Sequence, residues 1–146
     1  MIKQFDFYFD FTSPYAFLAH KQIRNIENEN SIKIKYRPIL LGGLLKSAGI
    51  KPIADIPIKG KHMIKDCKLW GEKYNINFKF NSYFPIQTLN LMRCTLIAER
   101  KKFLQNFTNK VFDAIWQDGL NLNDNAIFEK LLKNMDINPE TFLKDS

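Results

Sequence analysis

A chain of 146 residues, 45% hydrophobic and 25% charged, has the size and balance of one ordinary globular domain, and its 13 phenylalanines make for a bulky aromatic core. No apolar run approaches the roughly 20 residues that a helix needs to span a bilayer. The net charge of +7 suits an anionic small molecule, an acidic surface or nucleic acid, and does not by itself choose among them.

From Lys3 to Phe9, Phe5, Phe7 and Phe9 alternate with Gln4, Asp6 and Tyr8, which reads as a strand. Met1 to Phe5 lead straight into it without the basic-then-apolar layout of a signal peptide, so the expected compartment is the cytoplasm. Tyr15, Ala19, Ile23 and Ile26 then recur at helical spacing. Between strand and helix stand Ser13, a preferred N-cap, and Pro14, a preferred first helical residue. The sequence therefore writes strand, tight turn and helix, with a hydroxyl at a helix mouth where unpaired N–H groups and partial positive charge suit an anion. That Ser13 only caps the helix fits the same residues.

The helix fades in Glu27, Asn28, Glu29 and Asn30. Ile32, Ile34 and Tyr36 alternate with Lys33, Lys35 and Arg37 in a second strand, completing a βαβ unit with parallel strands. Residues 38–60 hold four of the six glycines and three of the six prolines, and read as a long, functional loop with a short helical turn at Leu40–Leu45. From Lys61 the period is helical, with Met63, Cys67, Trp70 and Tyr74 as a core stripe. Residues 75–84 read as an extended link. Pro85 is expected to open a helix with Leu89, Met92, Leu96 and Ile97 on its apolar side, broken at Lys101 and Lys102. A further helix carries Phe107, Val111, Ile115 and Trp116 and ends near Gly119. Asn123 and Asp124 cap another with Ile127, Phe128, Leu131 and Leu132, and Asn138 and Pro139 open a last one.

The two cysteines, Cys67 and Cys94, form no C-x-x-C and fall on apolar helical faces, so they read as buried thiols without a disulfide. His20 and His62 have no partners at metal-ligand spacing, and no metal is expected. Lys46, Lys51, Lys59, Lys61, Lys65 and Lys68 concentrate positive charge, either as a solvated face or as an anion site. Two parallel strands bury little and expose two edges, so the strand count calls for a pairing element outside this chain.

Four stretches together carry a resemblance. They are Asp6 to Tyr15, with Thr12-Ser13-Pro14-Tyr15 at its end; Arg37-Pro38-Ile39-Leu40-Leu41-Gly42-Gly43; Lys51-Pro52 through Lys59-Gly60-Lys61-His62-Met63 to Asp66; and Phe84-Pro85 with Met92-Arg93. In these the chain resembles, over essentially its whole length, the 2-hydroxychromene-2-carboxylate isomerases and kappa-class glutathione transferases of the DsbA-like thioredoxin fold. The resemblance implies an α/β fold: a thioredoxin-like βαβ half over residues 1–60, carrying the active-site turn and loop, and an inserted all-helical domain over residues 61–146. The family continues with a cis-proline loop, two antiparallel strands and a closing helix. No counterpart is readable here, so the expected fold is short of that C-terminal ββα part.

The resemblance also implies glutathione as cofactor. Ser13 stands where redox relatives carry their first active-site cysteine, so the sulfur comes from glutathione and Ser13 is the expected catalytic residue. Ser13, Pro14, Tyr15, Lys51, Lys59 and Lys61 are the expected glutathione-binding residues. Where family members often carry a polar residue before the Lys-Pro pair, this chain has Ile50. The implied activity is cis-trans isomerisation of the 2-hydroxychromene-2-carboxylate type, with a kappa-like transferase or an inactive fragment serving as a binding or assembly module as the alternatives. The expected partner is a small aromatic-derived anion, with neither nucleic acid nor membrane, and a homodimer is left open. A basic nucleic-acid module finds no aromatic–basic interleaving or helix-turn-helix pattern to support it.

Overall fold

The computed structural model describes residues 3–145; Met1 and Ile2, the lead-in to the first strand, and Ser146 lie outside them. Strands β1 (Lys3–Phe9) and β2 (Ile32–Pro38) pair in parallel, from Lys3 opposite Ile32 to Phe9 opposite Pro38. Helix α1 (Pro14–Asn30) is the crossover between them. Ser13 caps its start in an extended conformation with Pro14 in the first turn, and Ser31 ends it in the left-handed region at φ 51°. The helix buries Phe17, Leu18, His20 and Ile23. Phe9, the last residue of β1, and Phe11, just beyond it, are fully buried, with their rings edge-on at 5.5 Å. Phe5 and Tyr8 are exposed. Among the described residues the sheet has these two strands.

Residues 38–60 are more regular than the sequence suggests. They hold α2 (Leu41–Ser47), a 3₁₀ turn (Ile53–Asp55) and the first turn of α3 (Pro57–Lys73). Helix α3 starts at Pro57 and not at Lys61. Proline fits the first helical position because its missing N–H has no partner there anyway, and the Gly60 N–H already donates to the Ile56 carbonyl at 2.8 Å. Gly60 is buried, and a Cβ on it would lie 3.1 Å from the Ala54 carbonyl oxygen. Its bare backbone lets α3 sit against the 3₁₀ turn. The buried line of α3 is Gly60, Met63, Cys67 and Gly71. Trp70 and Tyr74, expected in the core stripe, are 37% and 42% exposed and stack on each other at 5.4 Å beside the Lys73 ammonium.

Contacts divide the chain into two compact units, Met1–Phe78 and Lys79–Ser146. The boundary expected after residue 60 lies inside α3, which packs on α1 and on the 3₁₀ turn. The second unit comprises α4 (Leu89–Arg100), α5 (Leu104–Trp116), α6 (Asn125–Lys133) and α7 (Pro139–Lys144). Its core is α5, which buries Phe107, Val111, Phe112, Ile115 and Trp116. Helix α4 begins at Leu89 and not at Pro85, because side chains of Asn81 and Asn123 take the Tyr83 and Gln87 N–H groups ahead of it. It buries Leu91, Met92, Cys94, Thr95, Ile97 and Ala98, leaving Leu89 and Leu96, both expected inside, exposed.

Cys67 and Cys94 are free and buried. Burial, with Asp66 adding to it, pushes the Cys67 thiol up to about 12, so it stays protonated and unreactive at neutral pH. Among the described residues no helix is long and apolar enough to cross a membrane.

Candidate active site at the mouth of the first helix

Ser13 lies at the N-terminus of α1 and is half-buried. Its Oγ accepts the Ala16 N–H at 3.2 Å. That bond uses a lone pair and leaves the hydroxyl proton free to be donated. Pro14 has no N–H and that of Ala16 is spent on the cap, so the first-turn donors for an incoming anion are the Ser13 O–H and the Tyr15 N–H. The first turn of α1 carries no acidic residue to cancel the positive end of the helix dipole.

A residue the sequence reading passed over holds this turn in place. Asp10 is 1% exposed. Its Oδ1 accepts the Thr12 N–H at 3.0 Å and its Oδ2 the Leu41 N–H at 2.8 Å, while its carbonyl accepts the Ser13 N–H at 3.0 Å. The Phe9 carbonyl accepts the Ile39 N–H at 3.0 Å. Asp10 thus ties the Ser13 turn to the segment leading into α2. A buried carboxylate is costly unless hydrogen-bonded; here both oxygens are satisfied by backbone. An aspartate two residues before a turn N–H is an Asx-turn signal, and it was there to be read.

Tyr15, in the first turn of α1, donates its hydroxyl proton to Asp66 on α3 at 2.8 Å. Beside this bridge a surface cavity of about 410 Å³ is lined by Tyr15, Ile53, Ile58, Lys59, His62 and Met63. Its walls are mostly aliphatic, with the Lys59 ammonium, the His62 imidazole and the Tyr15 hydroxyl as polar groups. Of the expected binding residues, Tyr15 and Lys59 meet there. Lys61 does not line the cavity, because two residues along a helix point about 200° apart. Lys51 is exposed between α2 and the 3₁₀ turn and also stands outside the lining, while Pro14 is buried beneath the turn. His62 is a lining residue the sequence reading did not select. His20 lies in the core, its Nδ1 2.6 Å from the Tyr36 hydroxyl.

Burial first, and the bond to Asp66 second, push the Tyr15 phenol up to about 12 from 10.0. A raised folded value means that its stabilising contribution is complete below pH 10.0 and is lost as pH climbs through about 12. In an alkaline absorbance titration, Tyr15→Phe should remove one phenol that ionises around pH 12 and leave the rest of the curve in place. Loss of a phenol ionising near pH 10.0 would mean that the bridge to Asp66 does not persist in solution.

Comparison with known proteins places the geometry in context. The profile of the DSBA-like thioredoxin domain matches residues 4–146. The 2-hydroxychromene-2-carboxylate isomerase of Sphingobium xenophagum is 29% identical over 126 residues, spanning 85% of this chain and 64% of the relative. The glutathione S-transferase kappa 1 of Rattus norvegicus is 26% identical over 118 residues, spanning 76% of this chain and 52% of the relative; its Caenorhabditis elegans counterpart is 24% identical, spanning 99% and 68%. A solved 2-hydroxychromene-2-carboxylate isomerase superposes with a TM-score of 0.84 at 21% identity, over 97% of this chain and 70% of its own. The chain therefore spans about half to two thirds of the length of these relatives.

Proposed function

The chain belongs to the family of DSBA-like thioredoxin domains, and from that premise we propose that it acts as a glutathione-dependent isomerase of the 2-hydroxychromene-2-carboxylate type. The observation that carries this reading is the half-buried Ser13 hydroxyl, fixed by Ala16 with its proton free to be donated, at the positive end of a helix. In the proposed cycle the glutathione sulfur sits above that hydroxyl as a thiolate. It adds to the conjugated double bond of an aromatic-derived acid, and the π electrons move into the adjoining carbonyl. The former double bond, now single, rotates. The electrons return, the double bond re-forms in the other geometry and the thiolate leaves, so nothing is consumed. Lys51, Lys59 and Lys61 supply positive charge to two anionic substrates.

A kappa-like transferase would share every step up to addition and release the conjugate; the rat and worm relatives support that second reading. A binding module without activity is the third reading. Titration of glutathione, followed by the ultraviolet band of its thiolate, separates them. The isomerase and transferase readings expect saturable binding with the thiol ionised below its free value of about 8.5; product analysis then tells the two apart. No binding, or binding without ionisation, overturns both and leaves the binding module.

A further inference from the structure

We propose that His62 is a specificity-determining residue of the same site, holding with Lys59 the anionic group of an electrophile whose flat apolar body lies against Ile53 and Ile58. The inference rests on the reading above, and it adds which residues receive the second substrate and what they select.

Three observations carry it. First, the cavity is walled by aliphatic side chains left open to solvent: Ile58 is 79% exposed and Ile53 46%. Isoleucines so exposed around a concave site are better matched to an apolar ligand than to water. Second, its polar groups have one sign. Lys59 and His62 are one helical turn apart on α3 and both line the cavity, and each can donate to an anion. No acidic side chain is among the lining residues, and Asp66 is engaged by the Tyr15 hydroxyl. Third, Tyr15, which lines the same cavity, follows Ser13 by two residues in the first turn of α1. Ser13 does not itself line the cavity; Tyr15 is the residue that joins the cavity to the first turn of α1. An apolar slot closed at one end by two cationic or hydrogen-donating groups selects an arene carrying a carboxylate over its neutral counterpart.

The probes are 1-naphthoate and 1-naphthamide, of one shape and differing in charge, bound to the full chain without glutathione and followed by amide chemical shifts. The expected result is shifts centred on Tyr15, Ile53, Ile58 and His62, with the carboxylate bound about tenfold more tightly than the amide. His62→Leu should cut that preference severalfold, His62→Gln, which keeps an N–H donor, should restore part of it, and Lys59→Met should remove most of what remains. Because His62 and Lys59 are exposed, these variants are expected to fold. Equal affinity for the two probes, a preference untouched by His62→Leu, or shifts centred elsewhere would overturn the proposal. Failure of glutathione to ionise would leave this result standing, and failure here would leave the thiolate reading standing, so the two are told apart.

Discussion

On the proposed function, replacing Ser13 by alanine is expected to lower glutathione-dependent turnover at neutral pH by about 10- to 100-fold, because it would remove one charge-assisted hydrogen bond worth about 1.5–3 kcal/mol to the thiolate. The helix dipole, at up to about 1 kcal/mol, remains. The apparent pKa of the bound thiol should climb by one to two units toward its free value of about 8.5, since each unit corresponds to about 1.4 kcal/mol. The loss should therefore shrink as pH is raised and the variant's thiol ionises unaided. That pH dependence separates the catalytic role from the capping one. Loss of the cap costs about 1 kcal/mol of stability and acts alike at every pH. Ser13→Thr keeps the hydroxyl and should hold the thiol midpoint near that of the parent. A midpoint unchanged in Ser13→Ala, with only the melting temperature lowered, would make Ser13 a cap and nothing more.

What the sequence disclosed and what it withheld follow the range of the forces involved. Ser13, Pro14, Asn138 and Pro139 were legible because capping is settled within three residues, and each stands at its expected helix start; of the pair Asn123 and Asp124, it is Asp124 that caps. The strand pair was legible because alternation is a local pattern. Asp10 was not selected because half its role depends on Leu41, 31 residues away. The start of α3 was hidden for a similar reason. Pro57 and Gly60 both read as breakers, and it is packing against Ala54 that gives Gly60 a place inside a helix. That shift decides the site: on a loop Lys59 and Lys61 are equivalent, but on a helix that begins at Pro57 they point apart, and His62 takes the place beside Lys59. Exposed Trp70 and Leu96 show the limit of periodicity, since an apolar residue at the right spacing is buried only if something lies across from it.

Asn81 is the second site of a large expected effect, and it acts on stability alone. It is fully buried. Its amide nitrogen donates to the Ile115 and Leu120 carbonyls, both at 2.9 Å, and its Oδ1 accepts the Tyr83 N–H at 2.8 Å. The Ile115 carbonyl belongs to the last turn of α5, where the helix itself offers no partner, and the Leu120 carbonyl follows the left-handed turn at Gly119, φ 68°. One side chain therefore satisfies two acceptors at the end of the core helix and one donor in the segment that runs past it. Asn81→Ala strands all three, at about 1–3 kcal/mol for each buried group left unmade and less than the sum because the site relaxes, so about 3–4 kcal/mol is expected. In a unit of this size that lowers the melting temperature by about 10 °C or more. Asn81→Asp should be worse, because it keeps the acceptor for Tyr83 but turns a buried carboxylate oxygen toward two carbonyls. Thermal melts followed by circular dichroism and by the fluorescence of Trp116, which packs on Phe80 and Phe84, read both variants in a Trp70→Phe background. The order parent, alanine, aspartate is the signature of a donor-specific bond network. If aspartate matched the parent, the two carbonyls would be drawing their partners from water and not from Asn81.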